Sequence, residues 1–233
     1  RLSGHTDAVY SVAYSPDGAY VASVSLDNRA IVWDLATGQA VATSQRHSDT
    51  LQYVAFSPDG RLLVTASSDR SALVWDWQAD QIVATLADHT DTVRTAVFSP
   101  DGNYVVTAGA DRWAYVWDWR TQEVVARLEH SGELSMARFS PDGTLVATSG
   151  DDGVAIWNWR DGQRLHLLDN ESGYLSSVAF SSDGALVACG EGRGRLRVWD
   201  ARSGRHLNTC LSPDSKAPSG RNDRLITSIA FIP

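Results

Sequence analysis

The chain has 233 residues, 43% hydrophobic and 21% charged, with 28 acidic side chains against 20 Lys and Arg and a net charge of −8. Such a length and apolar content suffice for one domain with a sizeable core, while the acidic balance argues against a nucleic acid as partner, since binders of phosphate backbones carry a basic stripe. No run of 18 apolar residues and no basic, apolar leader is present, so neither a membrane partner nor secretion is expected; the two cysteines, Cys189 and Cys210, lack metal-ligand spacing, which points to reduced thiols, no metal and a cytoplasmic setting.

Taken in order, Ala8 to Tyr14 reads as a strand, with Val9, Val12 and Tyr14 at positions held later by Leu51, Val54 and Phe56. Ser15-Pro16-Asp17-Gly18 follows; proline presets one turn dihedral, and Gly18 takes the left-handed conformation that a tight hairpin needs. A second strand is expected over Tyr20 to Ser25, then a short turn at Asp27. A third, Ala30 to Trp33, is apolar on both faces, as suits a strand inside a stacked sheet. Gly38 opens the turn into a fourth strand near Gln39 to Thr43. Its equivalents are Asp80, Gln122, Gly162 and Gly204, and only Gln122 lacks an evident conformational reason.

This unit recurs. Ser-Pro-Asp-Gly begins at Ser15, Ser57, Ser99 and Ser140, with Ser181-Ser182-Asp183-Gly184 as a fifth copy, in steps of 42, 42, 41 and 41. Tryptophan followed by Asp or Asn stands at Trp33, Trp75, Trp117, Trp157 and Trp199, in steps of 42, 42, 40 and 42. A period near 42 holding four strand-like segments marks a propeller array. Over essentially its whole length the chain resembles the WD40-repeat β-propeller family, and its regular turns resemble bacterial WD40 arrays. The resemblance implies an all-β propeller of four-stranded antiparallel blades, at about 4–44, 45–86, 87–128, 129–168 and 169–211. An extended loop is expected over 212–223 and the first strand of a further blade over 224–233, while Arg1-Leu2 aligns with the end of a fourth strand. Family rings usually have seven blades, so the expected whole is a larger protein whose other blades close the ring and whose attached effector domain carries any activity.

Counted from the Asp of the short turn, His, Ser or Thr, Asp and Trp recur: His5, Ser23, Asp27 and Trp33; His47, Thr65, Asp69 and Trp75; His89, Thr107, Asp111 and Trp117; His130, Thr148, Asp152 and Trp157. In the fourth set one residue is deleted before the Trp, so Asp151 competes for the role. These are the ingredients of a nucleophilic triad, but a catalytic site is singular and these come in four copies. The structural reading rests on the pairing that buried polar groups require. By resemblance, Asp accepts from His, His bridges to the hydroxyl, and the hydroxyl to the indole. In the fifth repeat the positions hold Glu171, Cys189, Arg193 and Trp199, so the network cannot form as written; a Glu171–Arg193 link of reversed polarity and a degenerate blade both remain open.

WD40 proteins typically bind peptides or domains on the narrow face, through residues three and five after the tetrad His and the residue before the Asp. Carried over, these are Ala8, Tyr10 and Leu26; Thr50, Gln52 and Ser68; Thr92, Arg94 and Ala110; Glu133, Ser135 and Asp151; and Tyr174, Ser176 and Gly192. Tyr10, Leu26, Gln52, Arg94, Glu133 and Tyr174 are the candidate partner-binding residues, with Tyr10, Arg94 and Tyr174 of the types enriched at hot spots. No Arg cluster for phosphopeptides and no three-sided aromatic cage falls on these positions. Trp77, Trp119 and Trp159 share one position two residues past the third-strand Trp, where packing beneath the fourth strand is expected and an exposed aromatic band is the alternative. Trp113 has no counterpart and is a candidate contact. Function is therefore read as a non-catalytic protein-interaction scaffold or sensor without cofactor. The alternative is an enzyme using the central channel, a hydrolase or quinone-dependent dehydrogenase, which would need unrepeated acids or metal ligands at the channel mouth.

Overall fold

The computed structural model describes residues 2–168, 175–191 and 194–211, with Ile226, Ile229 and Phe231. Within these residues the chain is all-β, with five four-stranded antiparallel sheets. The first blade comprises β1 (Val9–Tyr14), β2 (Tyr20–Ser25), β3 (Ala30–Asp34) and β4 (Ala40–Ser44); the second β5 (Leu51–Phe56), β6 (Leu62–Ser67), β7 (Ala72–Asp76) and β8 (Gln81–Leu86). The third comprises β9 (Val93–Phe98), β10 (Tyr104–Gly109), β11 (Trp113–Asp118) and β12 (Glu123–Glu129). The fourth has β13 (Leu134–Phe139), β14 (Leu145–Gly150), β15 (Gly153–Asn158) and β16 (Gln163–Leu168); the fifth β17 (Leu175–Phe180), β18 (Leu186–Glu191), β19 (Arg195–Asp200) and β20 (His206–Leu211). The expected strands lie within about a residue of these bounds, with β1 starting at Val9 and β4 shifted to Ala40–Ser44. The loop expected at 212–223 lies outside the described residues.

Contacts divide the chain into two compact units, residues 1–111 with 115–125 and residues 112–114 with 126–233. In the first, Leu51 and Val54 of β5 pack on Ala22, Val24, Ala30 and Val32 of the preceding blade. In the second, Leu175 and Val178 of β17 pack likewise on Ala147, Val154 and Ile156. With the four strands of each blade lettered a to d in chain order, the small apolar residues of strands b and c thus accept the large residues of the next strand a, which is why each blade needs a neighbour. On β1 the same column is open: Val9, Val12 and Tyr14 are 50%, 61% and 70% exposed. Ile226, by contrast, lies against Gly190 of β18, so closely that a Cβ on that glycine would stand 2.8 Å from the Ile226 Cβ.

Two irregularities recur within the blades. In strand a the register skips a residue: Leu51 faces Ser67 and Tyr53 faces Ala66, leaving Gln52 as a β-bulge. Tyr10, Arg94, Ser135 and Ser176 are skipped in the same way. In strand d a second bulge falls at Val41, Val83, Leu165 and Leu207. An extra residue bends the strand and turns its side chain out of the regular alternation. Those four strand d residues are accordingly exposed despite being apolar.

The turn before strand d takes a left-handed residue throughout, at Gly38, Asp80, Gln122, Gly162 and Gly204. For a non-glycine this conformation costs roughly 1–2 kcal/mol. Gln122, at φ 61°, has a compensating contact, since its Oε1 accepts the Thr85 N–H of β8 at 3.1 Å. One side chain thereby caps a backbone donor on the edge of the preceding blade.

Candidate functional site

Strand order sends the b–c turn and the loop entering strand a to one end of each blade, and the a–b and c–d turns to the other. At the first end sit four hydrogen-bonded chains. His89 Nδ1 lies 2.9 Å from Asp111 Oδ2 and its Nε2 2.8 Å from Thr107 Oγ1, which accepts the Trp117 indole N–H at 2.9 Å. In blade one the links are 3.0 Å to Asp27, 2.8 Å to Ser23 and 2.8 Å from Trp33. In blade four they are 2.7 Å to Asp152, 2.6 Å to Thr148 and 2.8 Å from Trp157. Asp152 rather than the exposed Asp151 holds His130.

One proton order satisfies the chains of blades one, three and four. The indole donates to the hydroxyl, the hydroxyl donates to Nε2, and Nδ1–H donates to the carboxylate. That polarity is also the polarity of a hydrolase triad, so access decides between them. The hydroxyls of Ser23, Thr65, Thr107 and Thr148 belong to residues 5%, 3%, 0% and 0% exposed, and in three of the four an indole occupies the oxygen. A carbonyl substrate has no approach to them.

Blade two departs from the scheme. His47 Nδ1 reaches Asp69 at 2.8 Å and Nε2 reaches Thr65 at 2.8 Å, but the Trp75 indole donates to Asp80 Oδ1 at 3.2 Å, not to Thr65. The left-handed turn at Asp80 brings that carboxylate back over strand c, where glycine offers no acceptor in blades one, four and five. The phenylalanine variants Trp117→Phe and Trp75→Phe remove the same volume from the core. The first also strips a buried hydroxyl of its donor, so it is expected to cost about 1 kcal/mol more in urea unfolding.

Burial alone would raise the carboxyl pKa of Asp27, Asp69 and Asp152. Hydrogen bonds more than offset it, from Thr6 N–H, Arg29 and His5 for Asp27, from His47 and Ser71 for Asp69, and from His130 and Ser131 for Asp152, holding all three well below the usual range. A depressed folded pKa contributes stability that is complete above the unfolded value, about 3.9, and is lost as pH falls through the folded value. The urea midpoint is thus expected to fall progressively below about pH 4, and less steeply in an Asp69→Asn variant.

Blade five holds Glu171, Cys189 and Arg193 where the other blades hold His, the hydroxyl residue and Asp. Glu171, Arg193, Tyr174 and Gly192 lie outside the described residues, as does the Ser176 side chain. Cys189, at the hydroxyl position, is buried, and burial followed by the nearby Glu191 charge pushes its thiol up to about 12. Glu191, wholly buried, lies 3.5 Å from Arg197 Nη1, and the Arg197 guanidinium stands 5.2 Å from the Trp199 ring centre. Sequence reasoning passed over this pair. Its signal was a charge in each of two columns otherwise holding Ser or Gly and apolar residues or Tyr.

The candidate partner-binding residues among the described residues, Tyr10, Leu26, Gln52, Arg94 and Glu133, lie at this end of their own blades. The carbonyls of Ala8, Thr50, Thr92 and Glu133 accept the N–H groups of Leu26, Ser68, Ala110 and Asp151 at 2.9–3.1 Å, fastening the entering loop to the b–c turn. Tyr10 is 57% exposed, and Glu133 is exposed. Leu26, Gln52 and Arg94 are half-buried. Gln52 Nε2 donates to Ser68 Oγ at 2.9 Å, and Thr50 Oγ1 donates to the same oxygen at 3.0 Å. Trp113 is half-buried at the start of β11.

At the opposite end, Trp77, Trp119 and Trp159 are tied to the a–b turns, and Trp77 belongs to the buried cluster against which Ile82 of its own strand d packs. Each indole covers the a–b turn of its own blade, donating at 3.0 Å to the carbonyl of Gly60, Gly102 or Gly143. Phe56, Phe98 and Phe139 meet them edge-on, and Arg120 and Arg160 each stack 4.3 Å above their ring. The turn carbonyl, exposed by the left-handed glycine conformation of the hairpin, selects a flat side chain that carries a donor.

A family model described as WD domain, G-beta repeat matches residues 1–34, 38–76, 80–118, 122–158 and 162–200. Among curated proteins, the chain is 55% identical over 42 residues to Protein Mut11 of Chlamydomonas reinhardtii, covering 18% of this chain and 11% of that protein. It is 44% identical over 43 residues to Ribosome assembly protein 4 of Saccharomyces cerevisiae, covering 18% and 8%. It is 49% identical over 41 residues to a Gallus gallus component of Chromatin assembly factor 1, covering 18% and 7%. Each match is one repeat long and spans about a tenth of the relative's length.

Proposed function

Because the chain belongs to the WD40 repeat family, whose members act as protein-interaction scaffolds, we propose that it is a non-catalytic interaction module that receives a peptide or protein segment across its b–c turn ends. The observation that supports this reading is the strand a bulge. In all five blades the skipped residue is the one five places after the tetrad histidine position. A bulge re-aims a side chain without breaking the sheet, and the entering-loop hydrogen bonds and the His–Asp chains make its support rigid. Tyr10, Gln52 and Arg94 stand at that position on three consecutive repeats, presenting an aromatic, an amide and a guanidinium. Such a set suits a polar peptide with an acidic or aromatic anchor.

On this reading the protein is a platform within a larger cytoplasmic polypeptide. The open column of Val9, Val12 and Tyr14 is the surface on which a further blade of a seven-bladed ring packs, as β5 packs on blade one. The test is a random-peptide display selection against the immobilised chain, followed by titration of the selected peptides. Tyr10→Ala and Arg94→Ala are each expected to weaken binding by about tenfold or more, the loss of a hot-spot contact, with thermal midpoints unchanged. Peptides that bind both variants as tightly as the native chain would overturn the assignment.

A further inference from the structure

The b–c turns of four blades contain one left-handed residue at the same place, directly after the tetrad aspartate position. Blade one uses Asn28, at φ 63°, and blade five Gly194, at φ 68°. Both types tolerate this conformation, glycine for want of a Cβ and asparagine through its short polar side chain. Blades two and three instead place Arg70 and Arg112 there, both at φ 73°. A long side chain gains nothing local from this conformation, which costs roughly 1–2 kcal/mol for a residue with a Cβ. Strain of this kind persists where the surroundings fix the backbone, and it concentrates at functional sites.

The surroundings do fix it. In blade two the Ser67 N–H donates to Ser71 O at 3.1 Å and the Arg70 N–H to Ser67 O at 3.3 Å, while Asp69, held by His47, accepts the Ser71 N–H at 3.0 Å. In blade three the Arg112 carbonyl accepts the His130 N–H at 3.0 Å. The two guanidinium groups are what these bonds leave unheld. Both arginines are exposed, and among the described residues neither side chain has an ion pair, a hydrogen bond or a ring contact. Other arginines are tied down: Arg29 on Asp27, Arg46 on Asp80, Arg197 on Glu191, and Arg120 and Arg160 on their tryptophans. Arg70 belongs to the first compact unit and Arg112 to the second, so each unit carries the feature once.

We infer that Arg70 and Arg112 are carboxylate contacts, through which the b–c turn face takes an acidic segment of a partner protein. The proposal rests on the reading of that face as the interaction surface and adds the chemistry of the partner. A guanidinium is a planar fork that meets a carboxylate with two parallel N–H bonds, which neither an amide nor an ammonium reproduces. Charge points the same way. The chain carries −8, and the entering loops bonded to these two turns present the exposed Asp49 and Asp91. An acidic segment is repelled by those loops and admitted at the arginines. Contacts of this kind set register and choice of partner more than raw affinity.

The test is a selection from a displayed library of random heptapeptides against the full chain, run in parallel on Arg70→Asn and Arg112→Asn. Asparagine keeps the left-handed turn, as Asn28 does, and removes the cation. Peptides selected by the native chain are expected to carry Asp or Glu at one fixed position or more, at least threefold above Asn and Gln. On titration each such peptide should bind at least threefold more weakly to one of the two variants. Changing its acidic residue to the amide should cause the same loss, with no further loss on that variant, because the two groups act as a pair. Thermal midpoints of the asparagine variants are expected to rise by about 2 °C as the strain is relieved. Selected peptides without acidic enrichment, acidic peptides that bind both variants as tightly as the native chain, or midpoints that fall would each overturn the proposal. The two readings separate in the same experiment. Peptides lost with Tyr10→Ala but indifferent to both asparagine variants keep the face and strike the arginines, whereas a library that yields no binder strikes both.

Discussion

Replacing Asp111 by alanine is expected to lower stability by about 3–5 kcal/mol, the cost of removing one partner from a buried, hydrogen-bonded polar pair. For a chain of this size that corresponds to a fall of roughly 10 °C in the thermal midpoint. The Asp111 and His89 side chains are 3% and 0% exposed, so water cannot replace the lost acceptor. The damage spreads along the chain of bonds. Without the carboxylate nothing fixes the Nδ1–H tautomer, so Nε2 no longer presents a lone pair to Thr107, and that hydroxyl must re-pair while still facing the Trp117 indole. The backbone N–H of Thr90 also loses its acceptor, Asp111 Oδ2 at 2.9 Å. Asp27→Ala removes a similar set, although there Arg29 sits partly in solvent beside the site and can be rehydrated. The expected order of loss, Asp111 above Asp27, is checked by differential scanning calorimetry of the two variants. The reverse order would mean that the additional bonds Asp27 makes to Arg29, and not exclusion of solvent, set the cost.

The blades were legible because their anchors are separated by strand lengths that hydrogen bonding fixes. Four short strands and their turns consume about 42 residues, whatever fills them. The His–Asp–hydroxyl groups were legible too, since a histidine and an aspartate 22 residues apart in four repeats have no reason to recur unless they meet. Less was legible where a side chain chooses among neighbours that only the fold supplies. Nothing in the spacing distinguishes Trp75 from Trp117, yet one indole bonds Asp80 and the other Thr107, because the left-handed turn of blade two offers a carboxylate whereas that of blade three holds Gln122, whose Oε1 accepts from Thr85. Gln122 lacked a local reason since its reason is Thr85, in the previous blade. The strand a bulge did leave a trace. Leu51, Val54 and Phe56 point to one core with steps of three and then two, and a strand of period two can take a step of three only by inserting a residue.

Trp77→Ala tests whether the second set of tryptophans joins blades or only decorates them. Trp77 is 7% exposed, its ring centre lies 4.9 Å from that of Tyr20 in the preceding blade, and its N–H caps the Gly60 carbonyl. Truncation therefore deletes a buried aromatic, an inter-blade contact and a turn bond together, with an expected loss of about 3–5 kcal/mol. Trp77→Leu imitates blade one, where Leu35 stands at this position 40% exposed, and keeps part of the packing without the donor. Its loss should be intermediate, and the step from Leu to Ala should track the volume removed. Tyr20→Ala combined with Trp77→Ala should cost less than the sum of the two, because residues in contact share their energy. Hydrogen exchange supplies the spatial readout: protection should drop both in β2 and in the turn at Gly60. A loss below about 1 kcal/mol, with protection unchanged in β2, would detach this indole from the core and return it to the surface band that its recurrence also permitted.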